Sequence, residues 1–305
     1  MKSSPRFLAL AGTVVLWASA FPAIRVGLDG LGVAGLSFLR LAVASVALAV
    51  VAPLMGVRRP RGRDLPLILL CGLTGMSAYQ VLLNWGEVHV PAGTASLLVA
   101  LAPVFSVLLA TAFLGEALTV RIVLGSLVAL AGAAVIAFAH GGAQVSAGAL
   151  VVLAAAVVQG TYHASTKPLL GRYTGLEVAC YAMWAGTALL LPLAPGTVAA
   201  LAHAPAAAIG SAVYLGLLPS ALGFVIWGYA VARTTLAVST AALYLVPPVA
   251  IAVAFVWLGE TPHWVELAGG ALGIAGVVLI NRRRSPARAA PGTRAQRSAT
   301  TKVTT

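Results

Sequence analysis

Arg40 is the sharpest chemical signal in this sequence. It stands in the apolar run SFLRLAVASV at 37–46, where an unpaired arginine at bilayer depth costs about 2.5–3.5 kcal/mol on insertion scales. A cation placed there faces a cavity, locks a helical bundle, or snorkels outward along its own stem. His163, beside Thr161 and Tyr162 in a second apolar run, is either a hydrogen-bonded core residue or a cavity group that titrates near neutrality. Around these two, Trp17, Ser19, Tyr79, Gln80, Asn84, Ser96, Gln159, Tyr162, Trp227 and Tyr244 place aromatic, amide and hydroxyl groups inside apolar runs. Polar groups at such depth face protein or water, and together they fit an amphipathic small-molecule pocket. Trp227 also fits an aromatic belt at the membrane surface.

The acidic residues are as informative by their places. Asp29, Asp64, Glu87, Glu116, Glu177, Glu260 and Glu266 all fall at the edges of apolar runs or between them. Proton exchange through a mid-membrane carboxylate is therefore disfavoured. Paired carboxylates, a His/Asp metal set and a nucleophile with its base are all missing near either face, which argues against an enzyme. No metal or cofactor is expected. Cys71 and Cys180 lie in apolar runs without metal or redox spacing and read as small buried hydrophobes.

The elements that position these residues follow from composition. The chain of 305 residues is 60% apolar and 9% charged, with a mean hydropathy of +0.99, and no soluble domain of this size has so little polar surface. Apolar segments of about 20 residues recur, each able to cross a ~30 Å hydrocarbon core as a helix. The expected fold is all-α, with ten transmembrane helices near 7–28, 33–55, 65–87, 91–114, 120–139, 147–169, 175–194, 206–231, 236–258 and 264–281. Pro192, Pro195 and Pro205 blur the pattern around the seventh.

A net charge of +12 would suit nucleic acid, but its distribution excludes that partner. With the N-terminus inside, the inner loops carry Lys2 and Arg6, the Arg58–Arg63 cluster, Arg121, Lys167 and Arg172, Arg233 and Arg282–Arg284; the outer loops carry acids and histidines. That asymmetry places both termini in the cytoplasm of a multi-pass protein of the inner (plasma) membrane. Arg25 and Lys167, at helix ends, read as snorkelling cations, and the basic loops as topology signals. Lys2, Arg6 and then Ala18-Ser19-Ala20 imitate a secretory leader, but cleavage would leave nine spans and spoil the repeat described next.

LLVALAPVFSVLLATAFLGEALTVRIVLGSLVALAGAAVI, ending at Ile136, and AALYLVPPVAIAVAFVWLGETPHWVELAGGALGIAGVVLI, ending at Ile280, are near copies 144 residues apart. Trp17–Arg25 aligns more weakly with Gln159–Lys167, 142 residues on. Residues 1–142 and 143–284 are thus expected to be two five-helix repeats, with 285–305 a disordered cytoplasmic tail. Five crossings are odd, so the second repeat is inverted about an axis in the membrane plane. Pro103 and Pro247 match, Pro248 doubles the second, and both read as mid-helix kinks that could hinge the halves. Arg40 meets Ala182 in the repeat, so its charge is one-sided. Gly125, Gly132, Gly269, Gly273 and Gly276 predict close packing of the fifth and tenth helices.

WASAFPAIR at 17–25, FLRLAVA at 38–44, AGTASLLVALAPVFSVLLATAFLGE at 92–116 and LYLVPPVAIAVAFVWLGE at 243–260 together resemble the drug/metabolite transporter superfamily, EamA family, over roughly residues 7–281. The resemblance implies ten helices with cytoplasmic ends and export of small metabolites, often amino acids, through a central cavity by alternating access. It also implies a basic residue at position 40. The expected partners are a small-molecule substrate and membrane lipids, with the chain as a monomer. A flippase for lipids or lipid-linked sugars and an uptake permease of the same fold are the alternatives.

Overall fold

The computed structural model describes residues 5–114, 119–141, 146–233 and 242–281. Glu116, Arg282–Arg284 and the tail lie outside them. Among the described residues, ten helical crossings follow one another. α1 (5–28) and α2 (33–54) run on within one helical stretch, Pro5–Leu54, broken where Asp29 adopts ψ 99° and Gly30 and Gly32 take φ of 97° and 62°. Those positive φ values favour glycine, and a Cβ on Gly30 would also lie 2.4 Å from Pro205. α3 is Gly62–His89, and α4 is made of two half-helices, Ala92–Val99 and Ala102–Leu114. α5 is Val120–Gly141 and α6 Ala147–Leu170. α7, Gly175–Leu189, bends by 49° into Leu191–Leu201; it runs past the expected end at 194 because Pro192 opens a new turn instead of ending the crossing. α8 is Ala206–Val231, α9 Val246–Leu258 and α10 Trp264–Asn281.

Hydrocarbon surroundings explain the choice of structure, since each helix satisfies its own backbone polar groups. Large apolar side chains such as Val46, Leu127 and Val256 point outward, as a lipid-facing belt requires. The centre holds Ala18, Ala23, Ile24 and Leu36 with no exposed surface. Ala18-Ser19-Ala20 is therefore packed in the core of the bundle.

The seam between α5 and α10 records the inversion directly. A Cβ on Gly132 would lie 2.5 Å from the Gly269 carbonyl oxygen, and one on Gly276 would lie 2.5 Å from the Gly125 carbonyl oxygen. Residue numbers rise along one helix while they fall along the other, so the two equivalent helices run antiparallel. Gly132 and Gly276 are counterparts, as are Gly125 and Gly269, so each contact is the image of the other. The same exchange relates Gly72 of α3, which meets the Ala182 carbonyl of α7, to Gly216 of α8, which meets the Arg40 carbonyl of α2. Ser45 of α2 and Thr187 of α7, themselves counterparts, share a 2.7 Å hydrogen bond.

The repeats also share their irregularities. α3 widens into a π-helical stretch at Gly72–Ala78, and α8 does so at Gly216–Leu222, 144 residues later. α4 leaves its helix at Ala100 and Leu101, and the chain leaves it again at Tyr244 and Leu245 before α9. Pro103 and Pro247 accordingly do not kink continuous helices. Each lies in the first turn of a new half-helix, where a missing N–H costs no intrahelical bond. Pro248 follows in the same turn and is exposed.

The α5–α10 seam yields a test. Gly132→Val or Gly276→Val puts a side chain into backbone and should destabilise by about 1–3 kcal/mol or more. Gly196→Ala, where a Cβ meets nothing within 4 Å, should leave stability unchanged or slightly raised. The monodisperse fraction after detergent extraction, read by size-exclusion chromatography of a fluorescent fusion, should fall sharply for the first two only.

Candidate functional site

A cavity occupies the centre of the bundle, walled by α1, α2, α3 and α4 of the first repeat and α6, α8 and α9 of the second. The space open to the centre of a water molecule is about 70 Å³, room for a compact solute. Its irregular walls coincide with the shared breaks. Val99, Ala100, Ala102 and Pro103 bring the gap in α4 to the lining, Leu243 and Val246 bring the gap before α9, and Pro219 brings the π-helical stretch of α8. Non-helical backbone at this depth is tolerated where protein buries it or a cavity receives it.

Of the residues expected to line a pocket, Trp17, Tyr79, Gln80, Ser96, Gln159 and His163 do so. Arg40, expected in the bundle, lines it too and is nearly sealed from solvent. Its Nε donates to Ser220 Oγ at 3.2 Å, and its Nη1 is buried without a partner. Trp17 donates from Nε1 to the Pro219 carbonyl at 3.1 Å and rests on Phe224 and Trp227. Gln159 and His163 approach at 3.4 Å. Gln80 Oε1, Gln159 Oε1 and His163 Nδ1 have no hydrogen-bond partner among the described residues.

The other expected residues stand outside the lining. Ser19 is bound to Tyr214 Oη at 2.6 Å, and Asn84 donates to Ser37 Oγ at 2.8 Å. Tyr162 lies across Gly75 in a second core cluster. Trp227 is buried, with its ring 5.8 Å from that of His163, and so is not part of a surface belt. Tyr244 packs beside the core one position from Leu243, which does reach the cavity. The apolar wall formed by Phe21, Leu83, Phe224 and Val246 carried no signal of its own in so apolar a chain.

Two charged clusters close the ends of the bundle, and both revise the sequence reading. On the face opposite the chain ends, Arg25 does not snorkel. Its Nε lies 3.4 Å from Glu260 Oε1, and its Nη1 donates to the Glu87 backbone carbonyl. Gly259, at φ 70°, ends α9 and turns Glu260 back toward Ala92 N, at 2.9 Å, and toward Arg25. Glu87 itself is fully buried, with neither carboxylate oxygen hydrogen-bonded. An open recess lined by Arg25, Asp29 and Glu260 lies beyond. On the other face Arg58 grips Glu177 through Nε at 2.6 Å and Nη2 at 2.9 Å. Asp64 accepts from Arg172 Nη1 at 2.5 Å and from Tyr173 Oη at 2.7 Å. Glu177 also completes a capping box with Thr174. Arg58 and Arg172 are thus structural clamps as well as loop charges. Asp64, Glu87, Glu177 and Glu266, marginal in the sequence, are buried in the fold; sequence gives depth along a helix but not the direction a side chain faces.

Ten helices in two inverted repeats around a central polar–aromatic cavity define a membrane transporter of the inverted-repeat class. The chain belongs to the EamA-like transporter family, whose sequence profile matches residues 5–138 and again 146–282. A "Probable terminal-alkyne amino-acid exporter" of Streptantibioticus cattleyicolor is 73% identical over 283 residues, covering 93% of this chain and 95% of that protein. A "Probable amino-acid metabolite efflux pump" of Salmonella typhimurium is 29% identical, covering 92% and 95%. A solved crystal structure superposes with a TM-score of 0.63 at 20% identity, covering 94% of this chain and 100% of that one, which shows a shared fold.

Asp64 provides a test that separates the clamps from the cavity. Asp64→Ala strands the Arg172 guanidinium and the Tyr173 hydroxyl, and should cost about 1–3 kcal/mol. Thermal unfolding in detergent should shift down by several degrees while transport per folded molecule stays at the parental rate.

Proposed function

We propose that this protein exports small α-amino acids with compact, apolar, unsaturated side chains across the plasma membrane, terminal-alkyne amino acids first among them. The observation that carries the reading is the narrow central cavity, in which Arg40, Gln80, Gln159 and His163 share one space with an apolar and aromatic wall. Polar groups would orient the headgroup, and the wall would take the side chain. The names given to the 73% and 29% identical relatives, an exporter and an efflux pump for amino acids, support both the amino-acid cargo and the outward direction.

In this reading both chain ends are cytoplasmic, the units are 1–142 and 143–284, and the tail follows. The loop charge asymmetry supports that orientation. Alternating access arises when the two inverted halves exchange shapes around the cavity. The Arg25–Glu260 contact then lies on the outer face, and the Arg58–Glu177 and Arg172–Asp64 clamps on the inner one. The cargo and the surrounding lipid are the partners of a monomer.

Cells preloaded with propargylglycine should lose it faster when the protein is produced, as read by azide cycloaddition on the medium. Retention at the rate of empty cells would refute export, and accumulation would indicate uptake. Reporter fusions at Gly141 and Arg283 should report opposite compartments; agreement between them would refute the proposed topology.

A further inference from the structure

Four cavity-lining side chains carry a buried polar atom without a hydrogen-bond partner among the described residues: Arg40, Gln80, Gln159 and, through Nδ1, His163. Arg40 presents a buried cationic donor, Nη1, whereas Gln80 and Gln159 present buried neutral acceptors, their Oε1 atoms. All three side chains line the same small space. Several charges elsewhere are matched: Arg25 meets Glu260, Arg58 meets Glu177 and Arg172 meets Asp64. Among the described residues, Arg40 hydrogen-bonds the neutral Ser220 hydroxyl. Glu87 and Tyr79 lie within electrostatic reach of it, but neither makes a hydrogen bond or ion pair with it among the described residues.

A buried guanidinium left in this state is costly, and so is each unpaired amide oxygen. A ligand that brings one anion and one cationic donor, a few ångströms apart, would satisfy all of them together. The planar guanidinium fork matches a carboxylate better than any other small anion except phosphate. Amide oxygens, lacking charge, accept from an ammonium without holding it irreversibly. We propose that Arg40, Gln80 and Gln159 form the headgroup clamp of the transporter: Arg40 takes the α-carboxylate, and the two amide oxygens take the α-ammonium. The clamp rests on the export reading above and adds to it the basis of selectivity, because it admits the free zwitterion and refuses the ester, the amide and the decarboxylated amine.

The arrangement is one-sided. The repeat counterpart of Arg40 is Ala182, so only one half of the molecule contributes the anion site. A single clamp fixes a single orientation of the cargo, with its side chain toward Phe21, Phe224 and Leu83.

The test is counterflow of propargylglycine into proteoliposomes containing the purified full-length protein. The wild type should be inhibited by unlabelled propargylglycine and not by its methyl ester or by but-3-ynylamine, the decarboxylated analogue. Arg40→Gln should lower counterflow about 10- to 100-fold, the loss of a charge-assisted hydrogen bond, and Arg40→Lys should recover part of it. Removing an uncompensated buried charge should leave the unfolding temperature of Arg40→Gln equal to or above that of the wild type. Counterflow within twofold of the wild type in folded Arg40→Gln, or equal inhibition by acid and ester, overturns the clamp while amino-acid export stands. If Arg40→Gln does not fold, the acid-against-ester comparison on the wild type and the folded Arg40→Lys variant decide the matter. Failure of the wild type to transport any amino acid overturns both the clamp and the export reading.

Discussion

A hydrocarbon solvent offers no hydrogen bonds, and that one constraint arranges the whole molecule. Every departure from α-helix has to be hidden or wetted. The turn at Ala100 and Leu101, its counterpart at Tyr244 and Leu245, and the π-helical stretch around Pro219 all converge on the cavity. The centre is therefore where the backbone is free to be irregular and where polar side chains are tolerated. Most of the periphery is apolar helix, as lipid requires.

Within that constraint, glycine decides how the halves meet. Backbone-to-backbone approach at Gly125, Gly132, Gly269 and Gly276 joins α5 to α10 without side-chain intermediaries, and Gly72 and Gly216 do the same for α3 against α7 and α8 against α2. Dispersion and close approach replace the hydrophobic effect that would hold such helices together in water. The charged clamps sit at the ends of the bundle, where headgroups and water lower the cost of pairing ions. Asp64 and Glu177, almost fully covered, are each served by several donors.

The ten crossings and the duplication were legible in the sequence because apolar length and near-identical strings are one-dimensional signals. The break between α1 and α2 was legible as well, since Asp29, Gly30 and Gly32 interrupt an apolar run. The facing of side chains was not. Glu87 and Arg25 looked peripheral because they stand near helix ends, yet one is sealed and the other paired across the repeats. Ser19, Asn84 and Tyr162 share the depth of the lining residues but turn toward neighbouring helices. A chain that is apolar on all sides has little amphipathic asymmetry to reveal which stripe looks inward. The π-helical stretches were also hidden, since Gly72 and Gly216 are unremarkable until their 144-residue spacing is seen in space.

The internal twofold of the fold imposes a rule of invariance. If the halves exchange shapes during transport, the distance from any residue to its own counterpart is the same before and after, because the exchange merely swaps the two labels. Ser45 to Thr187, Gly72 to Gly216 and Gly125 to Gly269 are such silent rulers. The separations that trade values are the crossed ones, such as Gly72 to Ala182 against Gly216 to Arg40. A distance probe placed on counterparts would register a motionless protein while the molecule turned itself inside out.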